Sequence, residues 1–287
     1  MSNKIFIFGY GYTASFFSRQ LVHKGWKVTG TIRKKENSDN LIAEGVKPLL
    51  LSDLNAIQDE IFNSNAVLIT VPPDNFGDPI IKTFSDLFAS NSKRISWLAY
   101  LSSTSVYGDH MGRWVSETTK LRTSSQRGKN RVLAEMQWKD LSKRYKIPVK
   151  IFRISGIYGP DRNPFARIKS GNMKIIKKKD HFFNRIHIAD IVGILDSSLR
   201  NPADSGVYNL ADDMPSSQAA FVKESAKLLG METPPEVEIE KAELSEQAKS
   251  FYYDSKKILN RKVKKALDYE FRYPNYKAGL RSLIESG

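Results

Sequence analysis

The chain has 287 residues, of which 40% are hydrophobic, so it is long enough for one large domain or two small ones with a substantial core. No apolar run approaches the roughly 18 residues that a membrane span needs, and the absence of cysteine excludes disulfides, thiolate metal sites and cysteine nucleophiles. The formal net charge is +14.

The first predicted element is the most informative. The apolar run at residues 5–8 leads into the sequence G-Y-G-Y-T-A at residues 9–14. A buried strand that ends in G-x-G-x-x-A and continues into a helix is typical of a dinucleotide site. Gly9 permits the tight turn, Gly11 lets the backbone approach a pyrophosphate, and Ala14 is small enough for the helix to lie close to the sheet.

A helix is predicted from about Thr13 to Lys24, and Gly25 is a fitting end for it. The unpaired N–H groups of its first turn, around Tyr12 and Thr13, would bind the pyrophosphate. The alternative interpretation is a structural glycine turn without a ligand.

Strands and helices then alternate as far as residue 154. Further strands are predicted at Val28–Ile32, Lys47–Leu51, Ala66–Val71, Ile95–Ser102 and Val149–Ile154, and the clearest helices at Pro79–Ser90 and Lys129–Arg144. The alternation predicts an α/β fold with a doubly wound parallel sheet of the Rossmann type. Right-handed crossovers place the ligand of such a sheet at the carboxyl ends of its strands.

The residues after the second strand indicate which nucleotide binds. This strand ends in Thr-Ile and is followed by Arg33 and two lysines, without the carboxylate that would bind the ribose 2′-OH of NAD. Arginine at this place can hold the 2′-phosphate of NADP, so we expect NADP, although Glu36 leaves NAD open. Asp53 is placed to accept from the adenine amino group or to cap the next helix. Pro72 would line the cofactor or simply mark a loop.

The pattern changes after Gly159-Pro160. Residues 160–183 are expected to be irregular and basic, and the later predicted elements are helices Asp190–Leu199, Ser216–Leu229, Ser255–Leu267 and Tyr276–Glu285, with a strand at Val207–Leu210. We expect residues 1–159 to form an NAD(P)-binding core. Residues 160–287 would mainly form a smaller substrate-binding lobe, with about 184–212 returning to the core.

The end of the fifth predicted strand carries a family resemblance. Its Ser/Thr-rich sequence at residues 102–106 is followed by Tyr107 and a glycine, and the segments 153–160, 184–190 and 207–210 follow in the expected order. This pattern resembles the extended short-chain dehydrogenase/reductase superfamily, which includes the NAD-dependent epimerases and dehydratases of nucleotide sugars. The resemblance implies that Ser103 is the catalytic Ser/Thr.

The superfamily's other catalytic pair, Tyr-x-x-x-Lys, is not carried over. Counting back from Glu135, which matches a family glutamate, the lysine place holds Arg131 and the tyrosine place holds Arg127. Arginine stays protonated near neutrality and cannot cycle a proton. Arg131 could still donate to a ribose, and Arg127 could bind an anionic substrate. The alternative is that both lie on a solvated helix face.

Two further segments, 107–117 and 273–280, resemble an atypical bacterial subgroup of the superfamily, the YeeZ type. This resemblance implies an NAD(P)-dependent oxidoreductase or epimerase-like enzyme acting on an anionic, nucleotide-sugar-like substrate. The loss of both proton-handling residues motivates the alternative, a non-catalytic NADP(H)-binding sensor or scaffold; of the two we favour the enzyme.

The remaining candidates each have a structural alternative. Tyr107 could move the proton or be a packed aromatic side chain, and Tyr158 or a bound water could replace it. Trp114 could wall the substrate pocket or cover a loop. We expect His187 to fix a loop and Asp190 to cap its helix. The four histidines lack metal-ligand spacing, so we expect no metal.

The partners follow from charge and from the resemblance. The densest basic runs, 174–179 and 261–265, contain no interleaved aromatic residues, so we expect a solvated lysine-rich surface and neither a nucleic-acid nor a membrane partner. The absence of cysteine suits a cytoplasmic protein. The superfamily often pairs through the helices near 79–90 and 129–144, which predicts a homodimer.

Overall fold

A computed structural model describes residues 3–201 and 205–285. By its internal contacts the chain divides into two units. The first unit comprises the described residues of Met1–Ser103, Lys129–Arg153 and Val192–Tyr208, and the second those of Thr104–Gly128, Ile154–Ile191 and Asn209–Gly287. The division differs from the predicted one in that residues 104–128 and 154–159 belong to the second unit. Of the expected return to the core at about 184–212, only the described residues of 192–208 belong to the first unit.

The described residues form thirteen strands and eleven helices besides short 3-10 turns. The strands are β1 (Lys4–Phe8), β2 (Lys27–Ile32), β3 (Lys47–Leu50), β4 (Ala66–Ile69), β5 (Trp97–Ser103), β6 (Trp114–Val115), β7 (Val149–Ile154), β8 (Gly156–Tyr158), β9 (Ile175–Lys177), β10 (Arg185–His187), β11 (Gly206–Leu210), β12 (Glu236–Glu238) and β13 (Lys257–Ile258). The helices are α1 (Tyr12–His23), α2 (Ser38–Ala43), α3 (Leu54–Asn63), α4 (Pro79–Ser90), α5 (Gln126–Tyr145), α6 (Phe165–Lys169), α7 (Ile188–Arg200), α8 (Gln218–Leu228), α9 (Glu246–Ser250), α10 (Arg261–Leu267) and α11 (Tyr276–Glu285).

Seven strands form the central sheet, in the order β11-β7-β5-β4-β1-β2-β3. The pairs β1–β2, β1–β4, β2–β3 and β4–β5 are parallel, with Ile5 opposite both Val28 and Ala66. Helices flank this sheet, so the predicted doubly wound α/β fold is confirmed. The predicted strands of the first half agree with the observed ones to within about two residues.

The strands read as continuous apolar runs because helices cover the sheet. On one face Phe8 and Ile69 pack in a cluster with Phe84 and Phe88 of α4 and Trp138 of α5. The buried Trp138 indole N–H donates to the Asp78 carboxylate at 2.9 Å, which satisfies a donor that would otherwise be costly to bury.

The second unit contains three small parallel pairs, β8–β10, β9–β12 and β6–β13. Its helices α8 and α11 are in contact. The prediction of an irregular segment over 160–183 was wrong, because this segment contains α6 and β9. Both elements are short and are stabilised by packing with α8, which lies about 50 residues later in the chain.

A second prediction for this unit was also wrong. The single helix expected near Ser255–Leu267 is instead β13 followed by α10. The backbone N–H groups of Lys257 and Leu259 donate to Arg113 O and Val115 O, both at 2.9 Å. These bonds to a distant strand keep the chain extended until Asn260, and the helix begins only after it.

Candidate functional site

The first unit brings predicted residues from five chain segments to one edge of its sheet. In a parallel sheet all strands end at the same edge, and the strand order therefore sets the order of the residues that follow them. Ser103 ends β5, Pro72 follows β4, Gly9 follows β1, Arg33 follows β2, and Asp53 follows β3. Three strand spacings separate β5 from β2, or about 14 Å.

The glycine loop is held by hydroxyl groups of the two strands beside it. The Gly9 N–H donates to Thr31 Oγ1 at 2.7 Å. The Thr70 hydroxyl lies between Phe8 O, at 3.1 Å, and Gly9 O. Gly9 has φ +85°, and a Cβ here would lie 2.8 Å from Thr70 Oγ1, so packing and backbone conformation both require glycine. Neither threonine was predicted as part of the site, although Thr31 lies in β2 and Thr70 directly follows β4, the two strands next to β1.

Gly11 differs from Gly9 because the protein itself does not require a glycine there. Its φ of −113° suits any residue, and an added Cβ would meet no protein atom within 4 Å. Gly11 is the N-cap of α1, and within residues 3–201 and 205–285 no side chain caps this helix end. The first N–H groups of α1, at Tyr12 and Thr13, therefore face a place that a side chain would obstruct. This loop fits the diphosphate of a dinucleotide.

Tyr10 braces the loop from the side of β2. Its ring lies against Gly30, where a Cβ would come within 2.6 Å of it, and its hydroxyl donates to the Glu44 carboxylate. Glu44 also accepts from Ser15 Oγ at 3.0 Å and from Arg19 Nε at 3.2 Å. Burial, with Glu44 beside it, raises the pKa of Tyr10 above its usual range. The phenol therefore keeps its proton and the brace persists at neutral pH.

The predicted residues near the ends of β2, β3 and β4, which are Arg33, Asp53 and Pro72, are exposed. Arg33 lies on the surface directly after β2, and Pro72 lies two residues after Thr70. Asp53 accepts from the Ala56 N–H at 3.1 Å and is the N-cap of α3. Of the two roles considered for Asp53, helix capping is the one present in this structure.

The end of β5 is held by a buried ionic network. Arg153 binds Glu135 through two nitrogens, with Nε–Oε1 at 3.0 Å and Nη2–Oε2 at 2.6 Å, and both residues are almost completely buried. The Ser102 hydroxyl donates to the same carboxylate at 2.7 Å. One turn earlier on α5, Arg131 Nη1 donates to Leu101 O at 3.0 Å. The segment just before Ser103 is thus fixed to α5 at two successive residues.

The two arginines near the start of α5 have different surroundings. Arg131 is half-buried and bonded to the β5 backbone, whereas Arg127 is exposed. The exposure of Arg127 agrees with the solvated-face alternative and leaves it accessible to a ligand.

In the second unit, Tyr107 is completely buried, and its hydroxyl donates to Asn209 Oδ1 at 2.7 Å. Asn209 is also fully buried; its backbone N–H donates to Glu117 Oε1, and its Nδ2 donates to Leu259 O. These bonds join distant parts of this unit. The surroundings of Tyr107 are those of a packing residue, which is the alternative considered for it.

Trp114 and Tyr158 also belong to the second unit. Trp114 lies on β6 and is half exposed, with the Lys257 ammonium 5.9 Å from its ring centroid. Tyr158 is buried, with its ring edge-on to His187 and Phe221. Its hydroxyl has no hydrogen-bond partner among residues 3–201 and 205–285, and Tyr158 lines a cavity of about 420 Å³ in this unit.

The prediction that Asp190 caps its helix was wrong. α7 begins at Ile188, so Asp190 lies in its first turn, and its carboxylate accepts from Tyr269 Oη and from the N–H groups of Arg272 and Tyr273. Instead, His187 Nδ1 accepts from the Ala189 N–H at 3.2 Å. His187 therefore holds the start of the helix, and Asp190 anchors a segment about 80 residues later.

Metal sites and membrane-spanning helices are both absent from the described residues. No group of three or more His, Cys, Asp or Glu suited to a metal ion occurs within residues 3–201 and 205–285. No helix in these two ranges is long and apolar enough to cross a membrane.

The chain is similar to a known protein family and to a known bacterial protein. The sequence profile described as the NAD dependent epimerase/dehydratase family matches residues 5–211. The chain is 29% identical to protein YeeZ of Escherichia coli (strain K12) over 287 residues, which covers 95% of this chain and 97% of YeeZ.

Two solved structures are similar along almost the whole chain. A functionally unknown conserved protein from Silicibacter pomeroyi has a TM-score of 0.91 at 37% identity, covering 99% of both chains. The dTDP-glucose 4,6-dehydratase of Bacillus anthracis, in complex with NAD, has a TM-score of 0.79 at 18% identity, covering 99% of this chain and 96% of that one. The latter likeness is one of fold.

The Glu135–Arg153 pair leads to a prediction about stability. Glu135→Leu leaves the Arg153 guanidinium buried without its counter-charge, so we expect the free energy of unfolding to fall by about 3–5 kcal/mol. Adding Arg153→Met removes the unpaired charge and should recover part of that loss. Urea unfolding of the wild type and both variants tests this, and a double variant less stable than Glu135→Leu would contradict it.

His187 leads to a prediction about pH. Burial lowers the pKa of His187 to about 4, whereas an unfolded histidine titrates near 6.5. Between these values the unfolded chain binds more protons, so stability is full above pH 6.5 and falls as the pH drops toward 4, at about 1.4 kcal/mol per unit of pKa difference. His187→Asn keeps an acceptor for the Ala189 N–H but does not titrate. Urea unfolding between pH 4 and 7 should show a shallower loss for this variant, and equal slopes would count against the prediction.

Proposed function

The chain belongs to the NAD dependent epimerase/dehydratase family, and on that premise we propose that it is a cytoplasmic NADP-dependent oxidoreductase or epimerase-like enzyme for an anionic, nucleotide-sugar-like substrate. The observation that carries the proposal is the open space at Gly11, over the uncapped start of α1. A residue that packing leaves free to carry a side chain, yet is glycine, suits the close approach of a diphosphate.

Arg33 supports NADP as the cofactor. It lies exposed directly after β2, the strand beside the glycine loop, and a guanidinium there can bind a 2′-phosphate in bidentate fashion. The dehydratase of similar fold is a complex with NAD, so NAD is the competing choice. Gly9 and Gly11, with Tyr12, Thr13 and Ala14, would hold the diphosphate. Asp53 and Pro72 would border the adenine side and the middle of the site.

The cofactor, when bound, supplies or accepts a hydride. Ser103, at the end of β5, would orient the reacting hydroxyl or carbonyl of the substrate, and Arg131 would donate to the nicotinamide ribose. Trp114, Arg127 and Tyr158 would bind the substrate. Burial raises the pKa of Tyr158, so its phenol holds its proton and acts as a donor. Tyr107 donates to Asn209, which leaves a bound water to accept the proton in this proposal.

A second candidate function is supported by a specific observation. The places of the family's Tyr and Lys hold Arg127 and Arg131, and Arg131 is bonded to the β5 backbone. A protein with this arrangement can bind NADP(H) without chemistry and serve as a sensor or scaffold. In either role we propose a homodimer that pairs through α4 and α5, where Met136 is exposed.

The cofactor assignment is tested by calorimetric titration with NADPH, NADH, NADP⁺ and NAD⁺. We expect Arg33→Ala to weaken NADPH binding by roughly 10–100-fold, because a charge-assisted pair is lost, and to leave NADH binding unchanged. Gly11→Ala should weaken binding of all four while the melting temperature stays within a few degrees of the wild type. If none of the four nucleotides binds, both candidate functions are refuted.

A hydride-exchange measurement distinguishes the enzyme from the sensor. Hydride exchange between labelled NADPH and a pool of nucleotide sugars should require the protein, and Ser103→Ala should abolish it. Tight NADPH binding without any exchange would favour the sensor.

A further inference from the structure

We propose that Tyr10 and Glu44 form a latch that sets the preference for NADP(H) over NAD(H), because it fixes the segment that carries Arg33 to the glycine loop. The inference deepens the proposed function, on whose cofactor site it rests. The side chains of Tyr10 and Glu44 are bonded to each other, so we assign them a positioning role and not that of cofactor ligands.

The Arg33 segment, residues 33–44, is short and mostly exposed. It follows β2 directly, contains α2, and ends at Glu44, the C-cap of that helix. Among residues 33–44, all of which the structure describes, Leu41 alone is buried. A helix of six residues is too short to be stable by itself. The course of the Arg33 segment therefore depends on the contacts that it makes with the rest of the unit.

Glu44 fixes the end of the Arg33 segment to α1. Its carboxylate accepts from Ser15 Oγ at 3.0 Å and from Arg19 Nε at 3.2 Å. The next residue, Gly45, lies so close to α1 that a Cβ there would be 2.9 Å from Val22 Cγ1. The segment is thus docked on the same helix whose first turn, at its other end, faces the place of the diphosphate.

Tyr10 joins the same carboxylate to the glycine loop. It lies between the two glycines of the loop, and its hydroxyl donates to Glu44 while its ring lies against Gly30. Its backbone N–H donates to Thr31 O at 3.0 Å. A hydrogen bond to an ionised acceptor is stronger than one between neutral groups. One carboxylate therefore connects the glycine loop, α1 and the Arg33 segment.

The latch matters more to one cofactor than to the other. The threonines beside the loop hold it independently of Glu44, so Tyr10→Phe, which keeps the ring, should leave the place of the diphosphate intact. The substitution removes the link between the loop and the three exposed cations at residues 33–35. A 2′-phosphate needs these cations and the loop in register, whereas NAD(H) has only a hydroxyl at that position. Loss of the latch should therefore weaken NADPH binding selectively.

The experiment measures NADPH and NADH binding by calorimetry at one salt concentration. We expect Tyr10→Phe to weaken NADPH binding roughly 3- to 10-fold and NADH binding less than about twofold. Glu44→Ala removes every bond to the carboxylate and should have the larger selective effect, with Glu44→Gln between it and the wild type. General damage to the fold would weaken both nucleotides alike. Tyr145→Phe, at a half-exposed tyrosine that ends α5, is the matched control and should change neither.

A double substitution tests the coupling itself. In an Arg33→Ala background the main contact with the 2′-phosphate is already lost, so Tyr10→Phe should have little further effect on NADPH binding. Additive losses from the two substitutions would contradict the latch, because they would mean that Tyr10 acts independently of Arg33.

Hydrogen exchange of the ligand-free protein tests the latch without a cofactor. Tyr10→Phe should speed exchange of the N–H groups of α2 and leave that of α4 unchanged. Unchanged exchange in α2, or an unchanged ratio of NADPH to NADH affinity in the variants at Tyr10 and Glu44, would overturn the inference alone. Wild-type protein that binds neither nucleotide would refute the proposed function, and the preference with it.

Discussion

Parallel pairing is the constraint on which the first unit depends. Because β1 pairs with β2 and β4 in the same direction, and these with β3 and β5, five chain segments leave the sheet at one edge. Residues as distant in sequence as Gly9 and Ser103 thereby share a surface. The chain then stiffens this edge with hydrogen bonds that the sheet does not supply. Thr31 and Thr70 hold the glycine loop, and Arg131 and Glu135 hold the end of β5.

The two units use buried polar groups in similar ways. In the first, Glu135 satisfies Arg153 and the Ser102 hydroxyl at once. In the second, Asn209 joins Tyr107 to Leu259, and Asp190 holds the segment from Tyr269 to Tyr273. Each connection spans many residues of sequence and leaves few polar atoms unpaired. The Tyr158 hydroxyl is an exception, because it is buried without a hydrogen-bond partner among the described residues.

The sequence was sufficient for the sheet and for the glycine loop, because both have a local signature. Apolar runs of four to six residues predicted β1 to β5 and β7, and G-x-G-x-x-A predicted the turn into α1. The short strands β9 and β13 were missed, since two or three residues carry no periodicity and are extended only through distant partners. The same limit applies to the site. Arg33 could be chosen from the sequence because it directly follows a predicted strand. The surroundings of Arg185 could not be predicted, because its partners Phe221 and Ser216 lie about 30 residues later in the chain.

Gly9 and Gly11 stand two residues apart and are subject to different evolutionary pressures. Replacement of Gly9 would disturb the fold, so any lineage that needs the folded protein must keep it. Neither packing nor backbone conformation requires glycine at residue 11, so a chain altered there would still fold and escape the proteases and chaperones that remove unstable proteins. In the proposed function, the bound cofactor supplies the pressure that preserves Gly11. A homologue that no longer binds the cofactor would therefore be expected to carry a substitution at residue 11 before it showed any loss of stability.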